Sequence, residues 1–176
     1  MIAVGQKAPD LSLPGVEGRE GHVYDLHREI DAGRAVLLYF FPADFAPVAT
    51  EELRALEAAG WTGPDLTVWG ISGDSIFAHA AFAEEYALSF PLLSDFHAGG
   101  ADAYGLAYDD WEVHGPAPKR GLVLVDTDWE VRYAWSAEDA FAPDGTPFAA
   151  VAGELEALLG RGFEPARPNY DAENPQ

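Results

Sequence analysis

Residues 35–41 read AVLLYFF, a continuous apolar run that ends at Pro42. A strand covered by helices on both faces has such a run, whereas a half-exposed strand alternates apolar and polar residues. Residues 35–41 therefore predict a central strand. Leu66–Ser72 (LTVWGIS) predicts a second buried strand.

Two amphipathic helices are predicted around the second strand. Thr50–Ala59 carries Leu53 and Leu56 at helical spacing, and we expect Glu51 and Glu52 in its first turn, where carboxylates suit the helix dipole. Ser75–Tyr86 predicts the next helix. Its expected apolar face is formed by Phe77, Ala81, Phe82 and Tyr86.

The remaining segments indicate a mixed sheet. They are a hairpin within Ala8–Tyr24, a short helix from the N-cap Asp25 to Ile30, a strand at Pro91–Leu93, a helix at Gly99–Tyr104, an antiparallel hairpin of Gly121–Val125 with Glu130–Trp135, and a last helix at Thr146–Gly160. This order predicts an α/β fold, a thioredoxin-like three-layer α/β/α sandwich with a mixed central sheet. We expect a single domain at residues 1–160 and a C-terminal tail, loose or strapped along the surface, at residues 161–176.

The charge balance excludes some partners. Thirty Asp and Glu against ten Lys and Arg give a net charge of -20, which repels nucleic acid and anionic lipid. Such self-repulsion is screened at molar salt, so we expect a halophilic, cytoplasmic protein; an acidic mesophilic one is the alternative. We find no apolar stretch long enough for a membrane span and no signal peptide.

The loop after the first central strand meets the start of a helix at Phe40–Leu53 (FFPADFAPVATEEL). A helix N-terminus stabilises an anion and lowers the pKa of a thiol placed there. This segment resembles the peroxiredoxins, the alkyl hydroperoxide reductase and thiol-specific antioxidant family. In their motif a Pro is followed after three residues by Thr or Ser and then, after two more, by the peroxidatic Cys. Pro42 matches the proline, whereas Ala46 occupies the Thr position and Ala49 the Cys position.

The resemblance covers about Ala3–Leu159. Trp69–Phe96 (WGISGDSIFAHAAFAEEYALSFPLLSDF) is similar to the family's second strand, helix and FPLLSD segment. In KRGLVLVDTDWEVRY, Arg120 stands where the resemblance implies an arginine that lies beside the thiolate and binds peroxide. Simpler roles remain open: Pro42 as a strand terminator, Arg120 as a surface ion-pair partner, and Ala46 and Ala49 as packing residues at the start of a helix.

The chain has no cysteine, so it cannot perform the family's thiol chemistry. Thr50, which lacks sulfur's chemistry, and Met1, the sole sulfur, are poor substitutes. We therefore expect a binding or assembly scaffold without peroxidase activity, with a hydroperoxide or other small molecule in the vestigial pocket and a homodimer or partner-subunit arrangement. The alternative is an antioxidant thiol peroxidase whose cysteine has been replaced by alanine.

The histidines and acidic pairs indicate no metal site or cofactor. The five histidines have no ligand spacing that suggests zinc. Asp95 and His97 lie close in sequence, as do Asp109 and Asp110, and in so acidic a chain we expect all four to be solvated loop charges.

Overall fold

The elements follow one another along the chain as alternating strands and helices. The computed structural model describes residues 1–112, 114–143 and 147–171. They form β1 (Ser12–Glu17), β2 (Glu20–Asp25), α1 (Leu26–Asp31), β3 (Ala35–Phe40), α2 (Pro47–Ala59), β4 (Leu66–Ser72), α3 (Ile76–Tyr86), β5 (Leu92–Ser94), α4 (Gly99–Ala103), β6 (Ala107–Tyr108), β7 (Ala117–Pro118), β8 (Gly121–Val125), β9 (Val131–Ser136) and α5 (Phe148–Leu159).

Seven strands form one mixed sheet in the order β2-β1-β5-β4-β3-β8-β9. Strands β3, β4 and β5 run parallel, whereas β1, β2, β8 and β9 pair antiparallel with their neighbours. The parallel strands end at the same edge of the sheet, which we call the carboxyl edge. The loops that carry the candidate site lie at this edge.

Alternate residues of β3 enter two different cores, which explains its unbroken apolar run. Leu37 and Tyr39 pack into the cluster formed with α2, α3 and α5. Leu38 and Phe40 pack into the cluster on the opposite face, formed with α1 and α4. The predicted three-layer α/β/α sandwich with a mixed sheet is confirmed.

Two details of the predicted helices are wrong. Helix α2 begins at Pro47, three residues earlier than expected, because proline is well suited to the first turn of a helix. Glu51 and Glu52 therefore lie beyond the first turn and do not serve the helix dipole. On α3, Phe77 is 80% exposed, and Ala81 is exposed as well. The buried face instead contains His79, Phe82 and Ala83.

The segment from Arg161 to Tyr170, which we call the C-terminal strap, follows the surface past α5. Phe163 and Ala166 are buried in the same core cluster as Ala49. Trp61 Nε1 donates a hydrogen bond of 2.7 Å to the Glu164 carbonyl. The predicted helix start at Thr146 lies outside the described residues. Within them, no helix is long and apolar enough to cross a membrane.

Candidate functional site

The loop between β3 and α2 places three of the predicted site residues. Pro42 is buried two residues after the end of β3, and Ala46 is the N-cap residue of α2. Alanine has no side-chain acceptor, so the helix begins without the hydrogen bond that Ser or Thr would give it. Ala49 follows as the third helical residue and is 1% exposed. A thiol at this position would therefore lie in the first turn, within the positive end of the helix dipole.

Glu52 lies one turn after Ala49 and is the centre of a buried polar network. The Tyr39 hydroxyl on β3 donates a hydrogen bond of 2.6 Å to Glu52 Oε2. Burial, and then the charge and hydrogen bond of Glu52, raise the pKa of Tyr39 well above its usual range. The tyrosine therefore remains protonated and serves as a fixed donor to the carboxylate.

Arg120 provides the cation of this network. Its Nη1 donates to Glu52 Oε1, and its Nη2 donates to the Ala142 carbonyl. The guanidinium carbon lies 5.3 Å from the centroid of the Trp135 ring, within the range of a cation–π contact. Both Arg120 and Glu52 are fully buried, so the alternative of Arg120 as a surface ion-pair partner is wrong.

The C-terminal strap completes the network. The Tyr170 hydroxyl donates a hydrogen bond of 2.9 Å to Glu52 Oε1, the same oxygen that Arg120 contacts. The strap, α2, β3 and the start of β8 thus meet at one carboxylate. Thr50, considered from the sequence as a substitute nucleophile, is also buried. Its hydroxyl is therefore not accessible to a substrate.

Two cavities flank the candidate site. One of about 310 Å³ is lined by Pro42, Asp74, Trp111 and His114. Another of about 280 Å³ is lined by Arg120, Trp135, Glu138 and Asp139. Both volumes are close to the lower end of the range for ligand pockets, so each cavity suits only a small molecule.

A buried histidine anchors the loop before α2. His79 Nε2 lies 2.9 Å from the Leu93 carbonyl, which can only accept a hydrogen bond, so this nitrogen carries hydrogen. His79 Nδ1 lies 2.8 Å from Asp44 Oδ2, and Ser72 Oγ lies 3.2 Å from Asp44 Oδ1. Asp44 and His79 therefore share a proton between Nδ1 and the carboxylate. The backbone N–H of Asp44 donates to Asp74 Oδ2 at 2.6 Å.

The pair makes stability depend on pH. Burial, the largest cause, raises the pKa of the Asp44 carboxyl above its usual range, although His79 opposes this. The folded chain then binds this proton more tightly than the unfolded chain, so Asp44 contributes most stability below its unfolded pKa and loses that contribution as pH rises through its folded pKa. We expect Asp44→Asn to reduce the free energy of unfolding more at about pH 4 than at about pH 7.

Denaturant unfolding of both chains at several pH values measures this difference. Asp10→Asn is the matched control, because it removes an exposed Asp–His pair with His27 at 3.3 Å. The same loss at every pH for Asp44→Asn, or a greater loss near neutral pH, would contradict the interpretation.

One of the four predicted loop charges, Asp95, is not solvated. Asp95 is 2% exposed and accepts hydrogen bonds from the backbone N–H groups of Gly100 and Ala101, at 2.9 and 2.8 Å. The prediction for Asp95 is therefore wrong, because these amides at the start of α4 need an acceptor. His97, Asp109 and Asp110 are exposed. Among the described residues, no group of three or more His, Asp or Glu could hold a metal ion.

Sequence reasoning missed most of the network around Arg120. Tyr39 lies within an apolar run, and Tyr170 lies in a segment that the sequence predicts to be a tail. Glu52 was expected to stabilise the first turn of a helix and not to lie in a buried network. A usable signal was the position of Glu52 on the helix face shared with Ala49 and Leu53, since a carboxylate on a buried face requires a partner. His79 carried a similar signal on α3.

Comparison with known proteins identifies relatives along most of the chain. Residues 4–134 match the AhpC/TSA family. A Coxiella burnetii protein that carries the name peroxiredoxin bcp is 39% identical over 169 residues, covering 91% of this chain and 98% of its own. Peroxiredoxin Bcp of Bacillus subtilis is 33% identical over 142 residues, covering 76% of this chain and 85% of its own.

Solved structures agree with the fold. Peroxidoxin BcpB from Mycobacterium tuberculosis superposes with a TM-score of 0.73 at 25% identity, covering 91% of this chain and 98% of its own. The reduced 2-Cys peroxiredoxin of Plasmodium vivax superposes with a TM-score of 0.75 at 24% identity, covering 89% and 96%. The predicted thioredoxin-like fold is confirmed.

Proposed function

The chain belongs to the AhpC/TSA family, the peroxiredoxins, and we propose that within it this protein has lost peroxidase activity and serves as a binding or assembly scaffold. The observation that carries the proposal is Ala49 at the position of the peroxidatic cysteine, in a chain without any cysteine. Peroxide reduction in this family needs a sulfur that accepts an oxygen atom. Ala49 has no sulfur that could accept the oxygen atom, and Ala46 has no hydroxyl that could position the peroxide.

The surroundings of Ala49 support a stable fold around an inactive centre. Glu52 neutralises Arg120, and Tyr39 and Tyr170 add hydrogen bonds to the same carboxylate. The arrangement therefore persists without a thiolate. The cavities lined by Pro42 and by Arg120 are where a hydroperoxide or another small molecule would bind.

The intact Arg120–Glu52 arrangement also favours a second candidate, a thiol peroxidase in which alanine has replaced the cysteine at position 49. In that protein the thiolate would attack the hydroperoxide and an external thiol would reduce the resulting sulfenic acid. The codon at position 49 of the native gene distinguishes the two. A cysteine codon would overturn the scaffold proposal.

An exposed aromatic surface supports the assembly role. Phe45, Phe77 and Phe96 follow β3, β4 and β5 at the carboxyl edge and are 47%, 80% and 59% exposed. We take these side chains as one surface at this edge, because large exposed apolar patches are typical of contact sites. We infer a homodimer, or a complex with a partner subunit, that buries this surface.

Light scattering after size-exclusion chromatography in molar KCl tests the homodimer. Phe77→Glu is expected to convert a dimer to a monomer, because it would bury a carboxylate in the contact. Val4→Glu is the matched control, since Val4 is 62% exposed and the next residue, Gly5, donates a backbone hydrogen bond to Val131 at the opposite edge of the sheet. A monomer in the unmodified chain, with no partner retained from a native extract, would contradict the assembly role.

The charge supports a cytoplasm rich in salt. With 30 acidic and 10 basic residues, the folded chain carries a net charge of -20, whose self-repulsion molar KCl screens. We expect the circular-dichroism signal of the folded chain to weaken as KCl is removed and to return when it is restored. A fold that is fully formed without salt would contradict halophilic origin.

A further inference from the structure

A cavity of about 280 Å³ lies at the end of the sheet opposite to Ala49, near the start of β4. It is much larger than the roughly 30 Å³ that a water molecule occupies in the liquid. The residues that give it chemical character are Glu17, Tyr24, Glu29, Arg34, Thr67 and Trp69. None of them belongs to the network around Arg120.

Two of the side chains that line this cavity have hydrogen-bond donors without an acceptor. Trp69 is 1% exposed, and within the described residues neither its Nε1 nor the Tyr24 hydroxyl has a hydrogen-bond partner. The two rings meet edge to face, with centroids 6.0 Å apart. An indole N–H can only donate, so it requires an acceptor from outside the described side chains.

The Tyr24 hydroxyl is also held as a donor. Burial, and then the charges of Glu17, Glu29 and Glu20, raise the pKa of Tyr24 to about 12. It therefore remains protonated at neutral pH. A buried donor without an acceptor is costly, which favours a ligand that brings an acceptor oxygen to this wall of the cavity.

The charged side chains of the cavity determine which charge and which hydrogen-bonding groups a ligand should have. Arg34 Nε donates a hydrogen bond of 2.6 Å to Glu29 Oε2, so the cation is already engaged by a carboxylate. Glu17 adds a further negative charge, which disfavours an anionic ligand. The carboxylates accept hydrogen bonds, whereas Tyr24 and Trp69 donate them. Hydroxyl groups satisfy both requirements, because each donates and accepts.

We propose that this cavity binds a small neutral polyhydroxylated molecule, a monosaccharide or a polyol, whose oxygens accept from Tyr24 and Trp69 and whose hydroxyls donate to Glu17 and Glu29. Both donor atoms are covered, so binding requires a side-chain rearrangement. Arg34 and Glu29 line the same cavity and their side chains are 37% and 21% exposed. In this proposal Arg34 swings aside, which frees the Glu29 carboxylate to accept from the ligand.

Titration with D-glucose, followed through the indole N–H signals of the five tryptophans by NMR, tests the proposal. Trp69→Phe assigns the Trp69 signal, and calorimetry on the unmodified chain measures binding independently. We expect a saturable shift of the Trp69 signal below about 0.1 M glucose. D-glucuronate, which has the same ring with a carboxylate, is expected to bind at least about tenfold more weakly.

Tyr24→Phe removes one donor and is expected to weaken glucose binding about fivefold. Tyr133→Phe on β9 is the matched control and is expected to bind like the unmodified chain. The absence of a saturable shift, equal binding of glucuronate, or unchanged binding by Tyr24→Phe would each overturn the proposal. These results do not depend on whether the chain reduces peroxide or forms a dimer.

Discussion

Replacement of Arg120 by methionine is expected to lower the free energy of unfolding by about 3–5 kcal/mol. The change removes the cation from a fully buried ion pair and leaves the Glu52 carboxylate inside the protein. Tyr39 and Tyr170 still donate hydrogen bonds to this carboxylate, but neither carries a compensating charge. Chemical denaturation in molar KCl, followed by circular dichroism, measures the loss.

Arg28→Met is the matched control for this change. Arg28 pairs with Asp25 at 3.0 Å, but its side chain is 74% exposed, so removal of this cation is expected to cost less than about 1 kcal/mol. Both variants change the net charge equally. The combined variant Glu52→Gln with Arg120→Met is expected to recover much of the stability, since no buried charge remains unpaired. Equal losses for Arg120→Met and Arg28→Met would contradict the central role of the buried pair.

The centre of the sheet could be predicted from the sequence because β3, β4 and β8 are buried on both faces. For Leu66–Ser72 the predicted bounds match β4, and for β3 the predicted run exceeds the strand by one residue. A strand between two cores needs apolar residues throughout, and this requirement is visible in a short window of sequence. The turn chemistry of the last hairpin likewise predicted the antiparallel pairing of β8 with β9.

The polar network could not be predicted in the same way, because its partners are distant in the sequence. Glu52 contacts Arg120, 68 residues away, and Tyr170, 118 residues away. No local pattern specifies such pairs. Phe77 shows the opposite error: an apolar residue was assigned to the buried face of α3 although it points to solvent, because periodicity alone does not fix how a helix is rotated.

The assignment of Pro42, Ala46, Ala49 and Arg120 as remnants of a peroxidase site remains a prediction. The structure places Ala49 in the first turn of α2 and connects Arg120 to the same face of that helix through Glu52. A test must therefore restore the missing chemistry and ask whether this environment supports it.

Ala46→Thr combined with Ala49→Cys is expected to create peroxide consumption that depends on an added dithiol, whereas the unmodified chain shows none. The introduced thiol would lie in the first turn of α2, where the helix dipole favours the thiolate. Its sulfur attacks the peroxide, forming an S–O bond as the O–O bond breaks; the departing oxygen takes a proton, and the dithiol reduces the sulfenic acid.

The introduced threonine supplies the missing N-cap, which is expected to raise the free energy of unfolding by about 0.5–2 kcal/mol.

Ala83→Cys is the matched control for the double variant, because it places a thiol at a buried position of the same core, 4% exposed, in the last turn of α3 and not at the start of a helix. We expect the double variant to consume peroxide faster than Ala83→Cys. The ratio of the two rates depends on how closely the introduced thiol reaches its reactive position, because small misplacements lower the rate strongly. Equal rates would show that the start of α2 is not a peroxidase site. Peroxide consumption by the unmodified, metal-free chain would instead contradict the loss of activity, because that chain has no thiol to oxidise.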